Sequence, residues 1–215
     1  KVFLVFLALV VVLLAAAGVA WKLNGERWQQ EYAAFRKTGA PVLMYHAVGL
    51  EEGADWPKTL IMKPELFEAH LQYLKEQGYT IVTVAELAER LQQGKSVDKY
   101  VALSFDDGYK NNHSVVLPLL QKYDAKGSFF VINRDIGDEL HMNEPEIKEL
   151  IAAGMELGSH TYSHNPLAAI DEKYLVWETD TSRYWLKKKF DGYIVRTLAY
   201  PNGSYNDRVI DAAKK

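Results

Sequence analysis

The 215-residue chain contains no cysteine. That one absence excludes disulfides, thiolate metal ligands and a cysteine nucleophile together. It is compatible with an exported protein that folds without disulfides. An excess of positive charge is lacking too. With 25 Lys and Arg against 28 Asp and Glu, the formal net charge is -3, so no nucleic acid partner is expected. There is no glycine-rich loop to cradle phosphate and no basic groove, which leaves a metal-dependent phosphatase or nuclease without support. No internal repeat or low-complexity tract interrupts the chain. What remains is ordinary globular composition, 48% hydrophobic and 25% charged, at a length that one core can organise.

Charge is missing altogether from one stretch. After Lys1, residues 2–21 are apolar without interruption. About 20 residues at ~1.5 Å rise span ~30 Å, the thickness of a bilayer core. Residues 1–22 are therefore expected to be a transmembrane signal anchor, with Lys1 inside and the rest of the chain exported. Ala15, Ala17 and Ala20 keep open a cleaved signal peptide and a secreted product. Either way the remaining chain lies outside the cytoplasm, and the anchor makes the cell membrane a partner. Residues 23–40 read as a helical linker, ended by Gly39, Ala40 and Pro41.

From residue 41 to 215, apolar runs of strand length alternate with helical periodicity. Strands are expected at 41–46, 79–83, 100–106, 127–132, 155–160 and 196–201. Helices are expected at 64–77, 84–93, 114–123, 144–153 and 173–190. Pro64 suits a first helical turn, and Gly78, Gly94 and Gly154 suit positions just past a helix end. Thr83 with Glu86 makes a capping box. This order predicts an α/β fold with a parallel sheet or barrel, and several of the strands are apolar throughout, as burial on both faces requires. Six strands are too few for a closed (β/α)8 barrel. A helix begins at 206, so at least one closing strand is expected beyond residue 215.

Three strand ends carry candidate chemistry. In SFDDGY, Asp106 and Asp107 follow an apolar strand and precede a glycine. Neighbouring side chains at a strand end point in different directions, so the two carboxylates can do separate work. An Asp-Gly turn is the plain alternative. In SHTYSH, His160 closes a strand and His164 follows four residues later. The two face one side if the stretch coils as a helical turn; otherwise this is a polar loop. Two imidazoles plus one carboxylate leave positions open for water and substrate, the pattern of a catalytic rather than structural metal. In AYPNGSY, residues Tyr200, Pro201, Asn202 and Gly203 form a turn that could aim backbone N–H groups at a ligand, or could be an ordinary surface turn.

The order SFDDG, HTYSH, YPNG resembles the ordered motifs of the polysaccharide deacetylase family, carbohydrate esterase family 4. The phrases SFFVI and MELGSH are similar to that family as well. The resemblance runs from about residue 41 to the end. It implies a distorted (β/α) barrel of about seven strands with its site at the strand C-terminal ends. It also implies that Asp107, His160 and His164 bind a divalent metal and that Asp106 is the general base. The segment PVLMYHAV resembles the biofilm-type poly-β-1,6-N-acetylglucosamine deacetylases, in which a similar Met-Tyr-His segment supplies the acid; here that is His46. His70, His113 and His141 match no motif. Two departures stand out. Ala199 occupies a position where many members have arginine, and Asn202 stands where an aromatic often precedes the glycine.

The implied activity is hydrolysis of N-acetyl groups on N-acetylglucosamine units of an acetylated glycan outside the cell, poly-N-acetylglucosamine or peptidoglycan. Zn2+ suits the ligands first, with Co2+, Ni2+, Fe2+ or Mn2+ as alternatives. A backbone N–H near Asn202 would share the oxyanion. The reading from another class is a membrane-anchored carbohydrate-binding protein of the same fold without activity.

Overall fold

The computed structural model describes residues 39–49 and 60–214, with the isolated positions Lys22, Gly25 and Glu26. Lys22 apart, the predicted anchor lies outside the described residues, as does the linker except for Gly25, Glu26, Gly39 and Ala40. Among the described residues, no helix is long and apolar enough to cross a membrane.

In chain order the strands are β1 (Val42–Tyr45), β2 (Ala47–Val48), β3 (Ile61–Met62), β4 (Thr80–Val82), β5 (Tyr100–Phe105), β6 (Ser128–Val131) and β7 (Glu156–Ser159). The helices are α1 (Pro64–Glu76), α2 (Val84–Gln92), α3 (Leu117–Lys122), α4 (Glu144–Ala152), α5 (Glu172–Val176), α6 (Ser182–Lys189) and α7 (Asp207–Ala213). Five strands form one parallel sheet in the order β1-β5-β6-β7, with β4 also on β5. The short β2 and β3 pair separately, also in parallel. This is the α/β architecture the alternation predicts. Parallel strands need coverage on both faces, and β5 and β6 are buried along almost their whole length.

Helix ends follow local chemistry. Pro64 opens α1, and the Thr83–Glu86 capping box starts α2. The start of α2 is also tied to the sheet. Ser128 Oγ accepts the Val84 N–H at 2.8 Å, and the buried Glu156 carboxylate accepts the Ala85 N–H at 3.0 Å. Negative charge suits this end of a helix.

The structure departs from prediction at residues 196–201. A single parallel bridge, Ser159↔Leu198, stands in place of a strand. Pro201 has no N–H to continue a ladder, and Asn202 and Gly203 both take positive φ, which turns the chain away. The predicted helix at 114–123 is preceded by a π turn, Asn112–Val116. The one at 173–190 is interrupted by a second π turn, Trp177–Thr181. Such π turns recur at functional sites, and both of these carry side chains that hold the centre described below.

The core lies directly beneath the C-terminal ends of the strands. Register pairs Tyr45 with Phe105 and Phe105 with Phe129 across β1, β5 and β6. The Tyr45 and Phe105 rings stack at 5.4 Å, and Phe105 and Phe129 at 4.8 Å. Phe67 of α1 meets Phe105 edge-on at 5.6 Å. Tyr45 and Phe105 directly precede His46 and Asp106 in the chain, so this packed layer fixes the level at which the rim begins.

Candidate metal centre

Three strands deliver the motif residues to one rim. His46 follows Tyr45 at the end of β1, Asp106 and Asp107 follow Phe105 at the end of β5, and His160 follows Ser159 at the end of β7. The Asp106 N–H donates to the Tyr45 carbonyl at 2.9 Å, and the His160 N–H to the Val131 carbonyl at 2.9 Å. The ladder thus runs right up to the motif residues.

Beyond β5 the chain turns sharply. Asp107 has φ 70 and Gly108 φ 83. Aspartate tolerates this left-handed region better than most residues, and glycine occupies it freely. A Cβ at Gly108 would lie 2.9 Å from Val131 Cγ1, so the turn packs against β6 only as glycine. It aims Asp107 across the rim toward the histidines.

Asp107 Oδ1 lies 3.4 Å from His160 Nε2 and 3.4 Å from His164 Nε2. The three ligand atoms lie within 4.8 Å of one another. Asp107 and His160 are buried and His164 is half-buried. Asp107 Oδ1 is a buried oxygen without a hydrogen-bond partner, whereas Oδ2 accepts from the Tyr109 hydroxyl at 2.7 Å. A lone buried acceptor facing two imidazole nitrogens is costly unless a cation satisfies it. The donors fit a divalent metal in type and number. His160 Nδ1 lies 3.0 Å from the Ala199 carbonyl oxygen. That contact holds the ring and directs Nε2 toward Asp107, as orienting partners of metal-binding histidines do. Because it uses a main-chain oxygen, alanine at 199 preserves it.

The expected helical turn between the histidines is absent. Positive φ at Thr161 (70) and His164 (61) brings the rings together instead, with centroids 4.7 Å apart. The cause is side-chain capture of the backbone. Glu178, on the second π turn, accepts the Tyr162 N–H at 3.0 Å and the Ser163 N–H at 2.9 Å. Thr161 Oγ1 accepts the His164 N–H at 3.0 Å. Below them Ser159 Oγ meets Ser182 Oγ at 2.7 Å, and Ser182 Oγ donates to Asn133 at 2.9 Å.

Asp106 is buried with Oδ1 unpartnered. Burial pushes its carboxyl above the ordinary value, against the pull of His160 and His46 and with a further push from Asp107. Burial acts on Asp107 as well, but contact with His160 and the Tyr109 hydrogen bond outweigh it and hold that carboxyl down at about 2. Two adjacent carboxylates are therefore driven apart, a pattern that separates a proton acceptor from a permanently charged ligand. Burial lowers His164, helped by the like charge of His160. His160 is raised: burial would lower it, but Asp107 and Asp106 prevail.

His46 is not one of the converging trio, but it follows the end of β1 on the same rim. Positive charge at its position would lower both Asp106 and His164. Asn112, on the first π turn, donates to the His46 carbonyl at 2.9 Å, and Asn111 donates to the Gly49 carbonyl at 2.6 Å. The third motif is only partly gathered in. Ala199 touches His160, but the Tyr200 ring stacks on Tyr205 at 5.3 Å. Pro201 is buried, and Asn202 and Gly203 are exposed. The Gly203 N–H donates to the Tyr200 carbonyl inside the turn. Of the other histidines, His113 pairs with Glu149 at 2.8 Å and His70 with the Tyr45 hydroxyl at 3.1 Å.

The polysaccharide deacetylase family profile matches residues 93–215. A Bacillus subtilis (strain 168) protein named for that family, YxkH, is 34% identical over 179 residues, 81% of this chain and 61% of its own length. The poly-beta-1,6-N-acetyl-D-glucosamine N-deacetylase of Staphylococcus aureus (strain MSSA476) is 28% identical over 172 residues, 74% of this chain and 59% of its own. This chain therefore spans about three-fifths of the curated relatives it matches. Among solved structures, the Streptococcus pyogenes deacetylase PplD, in complex with acetate, superposes with a TM-score of 0.74 at 31% identity. That match covers 81% of this chain and 79% of PplD. With its motifs at one rim of a parallel sheet, the chain belongs to the polysaccharide deacetylase family.

Proposed function

We propose that this chain is a metal-dependent hydrolase that removes N-acetyl groups from N-acetylglucosamine units of an extracellular polysaccharide. One observation carries the reading: Asp107 Oδ1, buried and unpartnered, lies 3.4 Å from the Nε2 atoms of both His160 and His164. A divalent ion held by these three residues supplies a more acidic water and a polarised acetyl carbonyl. Zn2+ is the first ion to test, with Co2+, Ni2+, Fe2+ and Mn2+ beside it.

The chain's own residues do the rest. Asp106 accepts the proton of the attacking water, a task suited to a carboxyl raised by burial. His46, next to Asp106 across β1 and β5, gives a proton to the departing amine. The turn made by Tyr200, Pro201 and Gly203 presents the Asn202 N–H to the developing oxyanion. Acetate and a glucosamine unit leave. An intact set of Asp106, Asp107, His160 and His164 speaks against an inactive binding protein.

The polymer is taken to be poly-N-acetylglucosamine rather than peptidoglycan. His46 at the end of the first strand favours it, as does similarity to the Staphylococcus aureus enzyme named for that substrate. The proposed organisation is a single-pass anchor at 1–22, a linker at 23–40 and a catalytic domain at 41–215 facing the cell exterior. Its sheet would be part of a distorted barrel. Each acetyl group removed exposes an amine and makes the polymer more cationic.

The test is acetate release from poly-β-1,6-N-acetylglucosamine, chitin oligomers and peptidoglycan. The chain is first stripped by chelator and then reloaded with each ion. Activity that disappears with the metal and returns with it is expected. No release from any glycan with any ion overturns the reading, and release from peptidoglycan alone overturns the choice of polymer.

A further inference from the structure

His141 matches no motif, yet it lies one layer behind the centre. The antiparallel bridge Tyr109↔His141 joins the segment after β5 to the loop after β6. Two hydrogen bonds flank it, from the Lys110 N–H to the Leu140 carbonyl and from the Met142 N–H to the Gly108 carbonyl, both 2.9 Å. The His141 ring stacks on Tyr109 with centroids 5.1 Å apart and planes 27° from parallel. Its Nδ1 lies 2.8 and 2.9 Å from the two oxygens of Asp138. Asp138 Oδ1 also accepts the Leu140 N–H at 2.8 Å and the His141 N–H at 2.9 Å, which closes the loop around its own carboxylate. Tyr109, 6% exposed, is thereby clamped from behind, and its hydroxyl donates to Asp107 Oδ2 at 2.7 Å.

A carboxylate can meet a cation through one oxygen or both. Here the two oxygens of Asp107 have different surroundings. Oδ2 accepts from a fixed phenol, and Oδ1 faces both imidazoles with no hydrogen bond. We propose that Tyr109 is a positioning residue of the metal centre. It reserves Asp107 Oδ2 and leaves Oδ1 alone to the ion, with its own ring held in place by His141 and Asp138. The benefit to catalysis follows from counting positions. Each place on the ion not taken by a second carboxylate oxygen stays open to water and to the acetyl group. The inference rests on the Asp107, His160 and His164 reading and deepens it.

Metal binding tests this without substrate. Tyr109→Phe keeps the stacked ring and removes only the hydroxyl. The chain, stripped of metal, is titrated with Co2+ and its affinity and visible absorption are compared with wild type. Affinity should fall by about 10–100-fold, the usual effect of losing an outer partner of a ligand. The absorption should change as Oδ2 joins the coordination. A tyrosine with a merely structural role would lower the melting temperature of the metal-free chain and leave both cobalt signals alone. His141→Leu keeps the hydroxyl and loses the stacking ring, and it should weaken Co2+ binding in the same direction by less. It decides the matter should Tyr109→Phe fail to fold. Wild-type affinity and spectrum in the folded variants overturn this inference alone. A wild-type chain that binds no Co2+ overturns the metal centre and this inference with it.

Discussion

Glu178→Ala removes a residue that touches no ligand atom, yet it should damage the centre. Glu178 is 4% exposed. Its Oε2 accepts two backbone N–H groups, from Tyr162 at 3.0 Å and Ser163 at 2.9 Å. Its Oε1 accepts from Ser163 Oγ and, at 3.3 Å, from Asn165. All of these donors lie on the loop that carries His164. Hydrogen bonds to a charged group contribute ~1.5–3 kcal/mol each. Alanine also relieves a buried charge, so the sum is not additive, and breaking such a buried set costs about 3–5 kcal/mol. For a chain of this size, ~1 kcal/mol shifts the melting temperature by about 2–4 °C, so the melt should drop by roughly 6–20 °C. Thermal unfolding of the metal-free chain measures the first effect. A zinc titration measures the second, weaker binding as His164 loses its fixed backbone. Glu178→Gln keeps one acceptor oxygen for both N–H groups and should restore most of each. An alanine variant that melts within ~2 °C of wild type and binds zinc equally well would refute the idea that Glu178 holds this loop.

The other expectations concern the two proton-transfer residues and the layer beneath them. Asp106→Asn should lower the rate of acetate release by about 10²–10⁴-fold, the usual contribution of a general base, with bound metal unchanged by elemental analysis. Loss of the metal along with activity would make Asp106 a ligand instead. His46→Ala should reduce kcat far more than metal affinity, because it supplies a proton and no ligand atom; equal loss of both would end its candidacy as the acid. Phe105→Ala should destabilise the chain by about 3–5 kcal/mol in a denaturant titration, since Phe105 is fully buried among Tyr45, Phe67 and Phe129. A change under ~1 kcal/mol would mean that the rings of this layer do not support one another.

Five of the six predicted strands form, within a residue or two of their expected ends; the signal is strongest in β5 and β6, short runs that parallel pairing buries almost completely. The sixth, 196–201, has the right composition, yet it yields only the Ser159↔Leu198 bridge. Composition reports what a segment can bury, whereas pairing depends on which neighbours are free to accept it. Pro201 and the positive φ of Asn202 and Gly203 decide that locally. The pair β2 and β3 went unseen for the opposite reason. Two residues each are too few for any period to show, and their pairing joins parts of the chain 14 positions apart in register, Ala47↔Ile61. The π turns were invisible as well, since one extra residue per turn leaves the apolar spacing of a helix almost unchanged.

Two histidines with an aspartate were legible as a candidate metal set because ligand chemistry restricts residue type, whereas the choice of Asp107 over Asp106 came only from the family resemblance. The groups that make the trio converge were not legible, because their types are unrestricted. Tyr109 sits inside the SFDDGY motif, yet nothing in a tyrosine two residues after an aspartate says that its hydroxyl will meet that side chain. Glu178 lies 14 residues beyond His164 on a helical stretch, where a glutamate normally marks a solvated face. Ala199 contributes through a carbonyl that every residue type has, which is why an alanine in place of the family's arginine leaves the His160 contact intact. The expected route to convergence was wrong for the same reason. Spacing of i, i+4 suggested a helical turn, but Glu178 and Thr161 capture the N–H groups that such a turn would need, and the loop reaches the same meeting of rings through left-handed residues. The positions of reactive side chains are thus set by hydrogen bonds from residues whose identity carries no chemical signature. A variant that keeps Asp106, Asp107, His160 and His164 but changes Tyr109 or Glu178 should therefore retain every proposed ligand and still bind a divalent ion more weakly than wild type.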